Sequence, residues 1–254
     1  MSREPGLPLS MASIRARARN AGLKPERVIR EVAINQMHHR LAGGNVEWIV
    51  KGARPWSPVE SALVPRATST CEYEGCTVTV TVLLGVQSFD RFDIDLVAGR
   101  ELTGSPSSVA SPLSLELPEL APARVLLYPS VDRIADKICA THARYGRDQV
   151  ASSRVKDLYD LCALRGADDV LADELYEAIA AESLARGLTL PHRADVPTSM
   201  RARFEEISRK EPHPLVPSAF DDAVGAVATF LDPVLNGAVR DGAWDPTRLR
   251  WVPA

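Results

Sequence analysis

The sequence predicts an α+β protein: a short helical start, a small sheet in the middle and a helical C-terminal half. Three observations carry this. Apolar residues recur at helical spacing up to Leu41. Between about Cys71 and Leu120 the period changes to two, and from Val131 onward it is helical again. With 254 residues, 45% of them hydrophobic and 25% charged, the chain is too apolar to be disordered and long enough to bury a sizeable core.

The elements follow in order. From about Ser13 to Leu41, Val28, Ile29, Val32, Ala33, Met37 and Leu41 mark one helical face, and Pro25 suits the first turn of a helix beginning after Leu23 or Lys24. Gly43-Gly44-Asn45 stops that helix, and Trp48-Ile49-Val50 reads as a strand running into Lys51-Gly52. Residues Thr77–Val82 alternate strictly, Ser88-Phe89-Asp90 reads as a turn, and Phe92–Val97 alternates again. Together they predict an antiparallel hairpin with one apolar and one polar face. Residues 103–122, rich in Ser, Pro and Leu, read as loop and short strand. Helices are expected over Val131–Tyr145, Ser153–Arg165 (N-cap Ser152 or Ser153, Gly166 beyond its end), Asp173–Arg186, Met200–Lys210 and Phe220–Leu231, with Pro233 closing the last.

Composition narrows the function classes. No apolar run reaches the eighteen or so residues a membrane crossing needs, and the opening MSREPGLPLS has no signal-peptide core, so a cytoplasmic location is expected. Cys71, Cys76, Cys139 and Cys162 are too few and too scattered for a disulfide framework or a zinc site. The net charge is −3, yet the first thirty residues carry Arg3, Arg15, Arg17, Arg19, Lys24, Arg27 and Arg30 against Glu4 and Glu26. Such a run either attracts phosphates or forms a solvated helix face.

Three places could carry chemistry. Lys51-Gly52 ends a strand, where glycine lets a backbone approach a phosphate and lysine supplies a point charge. Asp93-Ile94-Asp95 puts two carboxylates on one strand face, an arrangement suited to Mg²⁺ held jointly with substrate phosphates or to simple acidic decoration. The third is the pair of helices bearing Lys137 and Arg154, Lys156, Asp157 and Asp160. There, i,i+3 and i,i+4 spacing allows surface ion pairing above an apolar face of Val155, Leu158, Tyr159 and Cys162.

The wording of these segments goes further. Ile134-Ala135-Asp136-Lys137-Ile138-Cys139-Ala140 followed by Ser152-Ser153-Arg154-Val155-Lys156-Asp157-Leu158-Tyr159-Asp160-Leu161 resembles the paired helical motifs of the AbiEii/AbiGii toxin family, MenT-like members included. Val50-Lys51-Gly52, Phe92–Gly99, Tyr128-Pro129, Ala185-Arg186-Gly187 and Phe230–Leu235 extend the likeness over nearly the whole chain. The resemblance implies a nucleotidyltransferase-like small mixed sheet with flanking helices over 1–125 and a C-terminal helical region over 126–254. It implies transfer of a nucleotide from an NTP to an RNA acceptor, tRNA above all, with Mg²⁺ or Mn²⁺ and a cognate antitoxin as partner. Carried over by position, Lys51 and Gly52 would hold triphosphate, Asp95 would be the third metal carboxylate beside Asp93, Lys137 would face phosphates, and Asp157 would act with Arg154 and Lys156 in support.

One departure stands against catalysis. The family pattern places an Asp-x-Asp strand after the Lys-Gly turn. Here only 25 residues, 53 to 77, separate Gly52 from Val78; they contain Glu60, Glu72 and Glu74 but no aspartate, and Thr70 and Glu72 stand where the pair is expected. A catalytically degenerate relative that only binds nucleotide, tRNA or antitoxin is therefore the competing expectation.

Overall fold

In the computed structural model, the described residues are 10–43, 48–51, 62–65, 75–84, 87–97, 101–111, 113–145, 150–166 and 170–253. They form two compact units, the first from residues 1–101 and 106–128, the second from 102–105 and 129–254.

The first unit begins with α1 (Met11–Asn20) and α2 (Pro25–Ala42) where the sequence suggested one helical stretch. Ser10 and Ser13 cap α1 reciprocally. Gly22, at φ +71°, reverses the chain, so that Leu23 N–H donates to Ala18 and Gly22 N–H to Arg19, a closure that favours glycine. Strands β1 (Trp48–Lys51), β2 (Ala62–Pro65), β3 (Gly75–Leu84), β4 (Gln87–Val97), β5 (Ser107–Ala110) and β6 (Arg124–Leu127) form one mixed sheet in the order β3-β4-β2-β1-β6-β5. The β3–β4 hairpin has the expected antiparallel pairing, but its turn is elsewhere. Ser88-Phe89-Asp90 lies within β4, and a register irregularity at Val82/Leu83 lets β3 extend to Leu84 opposite Gln87.

Helices α1 and α2 bury Ile14, Ala18, Val28, Ile29, Val32 and Ala33 in a cluster that also includes Leu117, with Val82 and Phe92 of the hairpin packed against it. The Arg30 guanidinium donates to both Asp90 oxygens, at 2.9 and 3.2 Å, tying α2 to β4. Buried Asn35 fixes the approach to β6, donating to the Ala121 carbonyl and accepting from Ala123 N–H.

The second unit is mainly helical, and its helices have ends shifted from those the periodicity predicts. Helix α3 spans Ser130–His142 and stops three residues before Tyr145, because Ala143 is extended and Arg144–Tyr145 (β7) pairs with Val150–Ala151 (β8). Helix α4 starts at Val155, since Ser152 Oγ accepts from Arg154 N–H in the lead-in and caps nothing. After β9 (Val170–Leu171) come α5 (Ala172–Ala185), α6 (Arg201–Lys210) and α7 (Phe220–Leu235). Pro233 does not close α7 but sits in its last turn, where a missing N–H forfeits a single bond, and its carbonyl accepts from Val239 N–H. The loop 102–105 belongs here because Asp132, in the first turn of α3, accepts Thr103 and Gly104 N–H through its two oxygens. A Cβ on Gly104 would lie 2.7 Å from that of Pro129.

A short hairpin that the sequence did not announce, β10 (Ala243–Asp245) and β11 (Arg250–Val252), joins β9 in a three-stranded sheet. Its Trp244 is fully buried, 4.6 Å from the Phe230 ring centroid, and its indole N–H donates to the Arg165 carbonyl at 2.7 Å. Trp244→Ala is expected to destabilise this unit by about 3–5 kcal/mol in chemical denaturation. Trp244→Phe should cost about 1–3 kcal/mol, because the Arg165 carbonyl loses its buried donor.

Candidate functional site

The first unit supplies a carboxylate pair. Alternation along β4 buries Ile94 and leaves Asp93 and Asp95 exposed on the opposite face. Two aspartates side by side repel, and β3 answers with hydroxyls: Thr77 Oγ1 donates to Asp95 Oδ1 at 2.7 Å and Thr79 Oγ1 to Asp93 Oδ1 at 2.6 Å. Each threonine engages the first oxygen of its carboxylate. A pair of carboxylates each offering a further oxygen suits a hard divalent cation that completes its shell with water and substrate phosphate.

Lys51 enters through register. It pairs with Ala62, Ala62 pairs with Asp95, and Asp95 pairs with Thr77, so one row crosses four strands. At the usual strand spacing, the backbone positions of Lys51 and Asp95 are about 10 Å apart. Gly52 lies outside the described residues, as do Glu60, Thr70, Glu72 and Glu74. The strand standing between β1 and β4 is β2, Ala-Leu-Val-Pro, and it carries no carboxylate. Among the described residues no three His, Cys, Asp or Glu side chains are grouped to hold a metal.

The second unit supplies a charge cluster quite unlike a solvated surface. Asp157 and Asp160 are each about 4% exposed, one helical step apart on α4, and Lys137 of α3 reaches both, 2.7 Å from Asp160 Oδ2 and 3.4 Å from Asp157 Oδ1. Arg154, itself half-exposed, brings Nε to 2.6 Å from Asp157 Oδ2. Lys156 is exposed. Burial pushes the Asp157 carboxyl above the ordinary aspartate range, against the opposing pull of Lys137 and Arg154. The cluster lies over the apolar contact of α3 and α4, where Ile134, Ile138, Leu158 and Leu161 are fully buried. Asp136, of the same motif as Lys137, is also buried and lies 3.4 Å from Arg186.

The N-terminal basic run is partly neutralised. Arg17 is paired in bidentate fashion with Glu119, Arg27 with Glu31 and Arg30 with Asp90, while Arg15, Arg19 and Lys24 are exposed.

Asp160, Thr77 and Thr79 join the candidate residues only through the structure. Asp160 was readable as an i,i+3 neighbour of Asp157, but its burial was not. Thr77 and Thr79 were visible as the polar half of an alternating strand, but their partners emerge only from the hairpin register. Lys137 is the cation that makes two buried carboxylates tolerable. Lys137→Met is therefore expected to cost the second unit about 3 kcal/mol near neutral pH. Without the lysine the Asp157 carboxyl, already pushed up by burial, rises further above its unfolded value of about 3.9. The penalty is then full above the folded value and vanishes as pH falls below the unfolded one. Thermal melts at neutral and mildly acidic pH should show the gap from wild type narrowing on acidification.

Comparison with known proteins bears on what these clusters serve. No curated protein matches the chain. The family described as nucleotidyl transferase AbiEii toxin, type IV toxin–antitoxin system, matches residues 32–226, which include Lys51, both strands of the hairpin, α3 and α4. With more than three quarters of its length matched, and with the mixed sheet and helical region described above, the chain belongs to the AbiEii nucleotidyl transferase toxin family.

Proposed function

We propose that this protein transfers a nucleotide from an NTP to an RNA acceptor, tRNA foremost, as the toxin of a toxin–antitoxin pair. The observation that supports it best is the row Lys51–Ala62–Asp95–Thr77. It sets the backbone of Lys51, the lysine proposed for phosphate, at fixed register with a hydroxyl-oriented carboxylate in one sheet, with Asp93 two residues along.

Nucleotidyl transfer asks for in-line placement of the acceptor hydroxyl and neutralisation of charge developing on the phosphates. Asp93 and Asp95 would hold Mg²⁺ or Mn²⁺, which when bound supplies Lewis-acid stabilisation of the phosphate oxygens. Thr77 and Thr79 hold one oxygen of each carboxylate and so limit its rotation. Lys51 and the adjoining Gly52 would take the triphosphate. Lys137, held by Asp157 and Asp160 within the second unit, would meet phosphate as the family resemblance implies, with Arg154 and Lys156 as support. Asp157 and Asp160 together fix the position of the lysine amine. A cognate antitoxin, as the family implies, would restrain this activity.

The bare β2 strand favours a second reading, in which the protein binds nucleotide, tRNA or antitoxin without turnover. Incubation with labelled NTPs, Mg²⁺ or Mn²⁺ and total tRNA separates the two. The catalytic reading predicts label transfer, lowered by about 10²-fold or more in Asp95→Ala. For Thr77→Val it predicts a loss of about tenfold, relieved by raising the metal concentration. No transfer by wild type, with tRNA bound in a salt-sensitive manner, would establish the binding reading instead.

A further inference from the structure

The sheet of the first unit has an unusual border. Strand β3 stands first in the strand order, and its sole partner strand among the described residues is β4. It runs for ten residues, Gly-Cys-Thr-Val-Thr-Val-Thr-Val-Leu-Leu, with no charged residue and no proline. Thr77, Thr79 and Thr81 are exposed, Val78 is 39% exposed and Leu83 60%. Sheet edges are ordinarily protected by charges, prolines, bulges or short length, because their unpaired N–H and C=O groups invite another strand. Here the irregularity comes late, at Val82/Leu83, and leaves Gly75–Val82 regular.

We propose that β3 is a dimerisation edge, where a second copy of this chain adds its own β3 antiparallel across a two-fold axis. The occupant follows from the sequence of the strand. A two-fold axis normal to the sheet requires each residue to pair with one of its own parity, since hydrogen-bonded and non-bonded pairs alternate and cannot exchange. Within Thr77–Val82, where threonine and valine alternate, such registers set Thr against Thr and Val against Val. With Thr79 on the axis, Thr77 meets Thr81 and Val78 meets Val80. With Val80 on the axis, Thr79 meets Thr81 and Val78 meets Val82. Both kinds of pair are favourable across strands, and no register opposes like charges, because the strand has none. The valine side continues the face on which Val82 and Phe92 pack against the α1–α2 cluster, so pairing would shelter Val78. Strand addition alone buries area at the low end for specific interfaces, so the dimer is weak and concentration-dependent.

Sedimentation equilibrium of the full chain, from low to several hundred micromolar, tests this together with amide hydrogen exchange at both ends of the range. The expected result is a monomer–dimer equilibrium, with β3 amides gaining protection as dimer forms. Thr79→Lys keeps a favourable neighbour in Asp93, its register partner on β4, and sets two lysines at or beside the axis. It should raise the dimer Kd by about tenfold or more. A chain that stays monomeric throughout, or a dimer whose β3 amides exchange no more slowly than in the monomer, overturns the proposal. So does β3 protection that arises only when a different protein is added. Should Thr79→Lys fail to fold, the wild-type exchange data decide alone.

Discussion

Strand β4 has to serve two solvents at once, and much of the first unit follows from how it does so. Its inward residues include Phe92, packed against the α1–α2 cluster, and the buried Ile94, while Asp93 and Asp95 between and beyond them face outward. A one-residue slip would exchange the two sets, burying two carboxylates and exposing the apolar side. The threonines of β3 then have their place, because the same register that seats Val80 beside Phe92 seats Thr79 beside Asp93 and Thr77 beside Asp95. Core packing and the orientation of the carboxylates are consequences of a single pairing.

The second unit resolves an analogous conflict by different means. Asp157 and Asp160 are buried on a helix whose neighbouring residues are core, and two adjacent carboxylates in that setting stay ionised only beside a cation. Lys137 supplies it from the adjacent helix. The price is that removing any one member strands the others, which gives the cluster a stabilising role independent of any chemistry with phosphate. Burial pushes the Asp157 carboxyl up, against the pull of Lys137 and Arg154.

How much of this was legible in the sequence depended on how local the cause is. The two-faced hairpin was readable from alternation alone, and the two carboxylates with it. Its turn was misread because Ser-Phe-Asp carries turn residues while the irregularity at Val82/Leu83 carries no such mark. Helix α4 read as a solvated, ion-paired surface because charge counts say nothing about burial; its cation comes from a position twenty residues upstream. The β10–β11 hairpin went unseen because three-residue strands are too short to establish a period. The Lys51–Asp95 row was out of reach for a different reason, since it depends on β2 pairing antiparallel with β1 and parallel with β4. Of the segment after Gly52 the described part is β2, whose Ala-Leu-Val-Pro carries no carboxylate, while Thr70 and Glu72 lie outside the described residues.

The central claim is that the β4 carboxylates are where a divalent cation and nucleotide meet this protein. Paramagnetic broadening of backbone amide signals by Mn²⁺, with a non-hydrolysable NTP present, tests it most directly. The account predicts selective loss of the signals around Thr77, Thr79, Asp93 and Asp95, abolished when both aspartates are replaced by asparagine. Broadening centred elsewhere, or unchanged in that double variant, would contradict it.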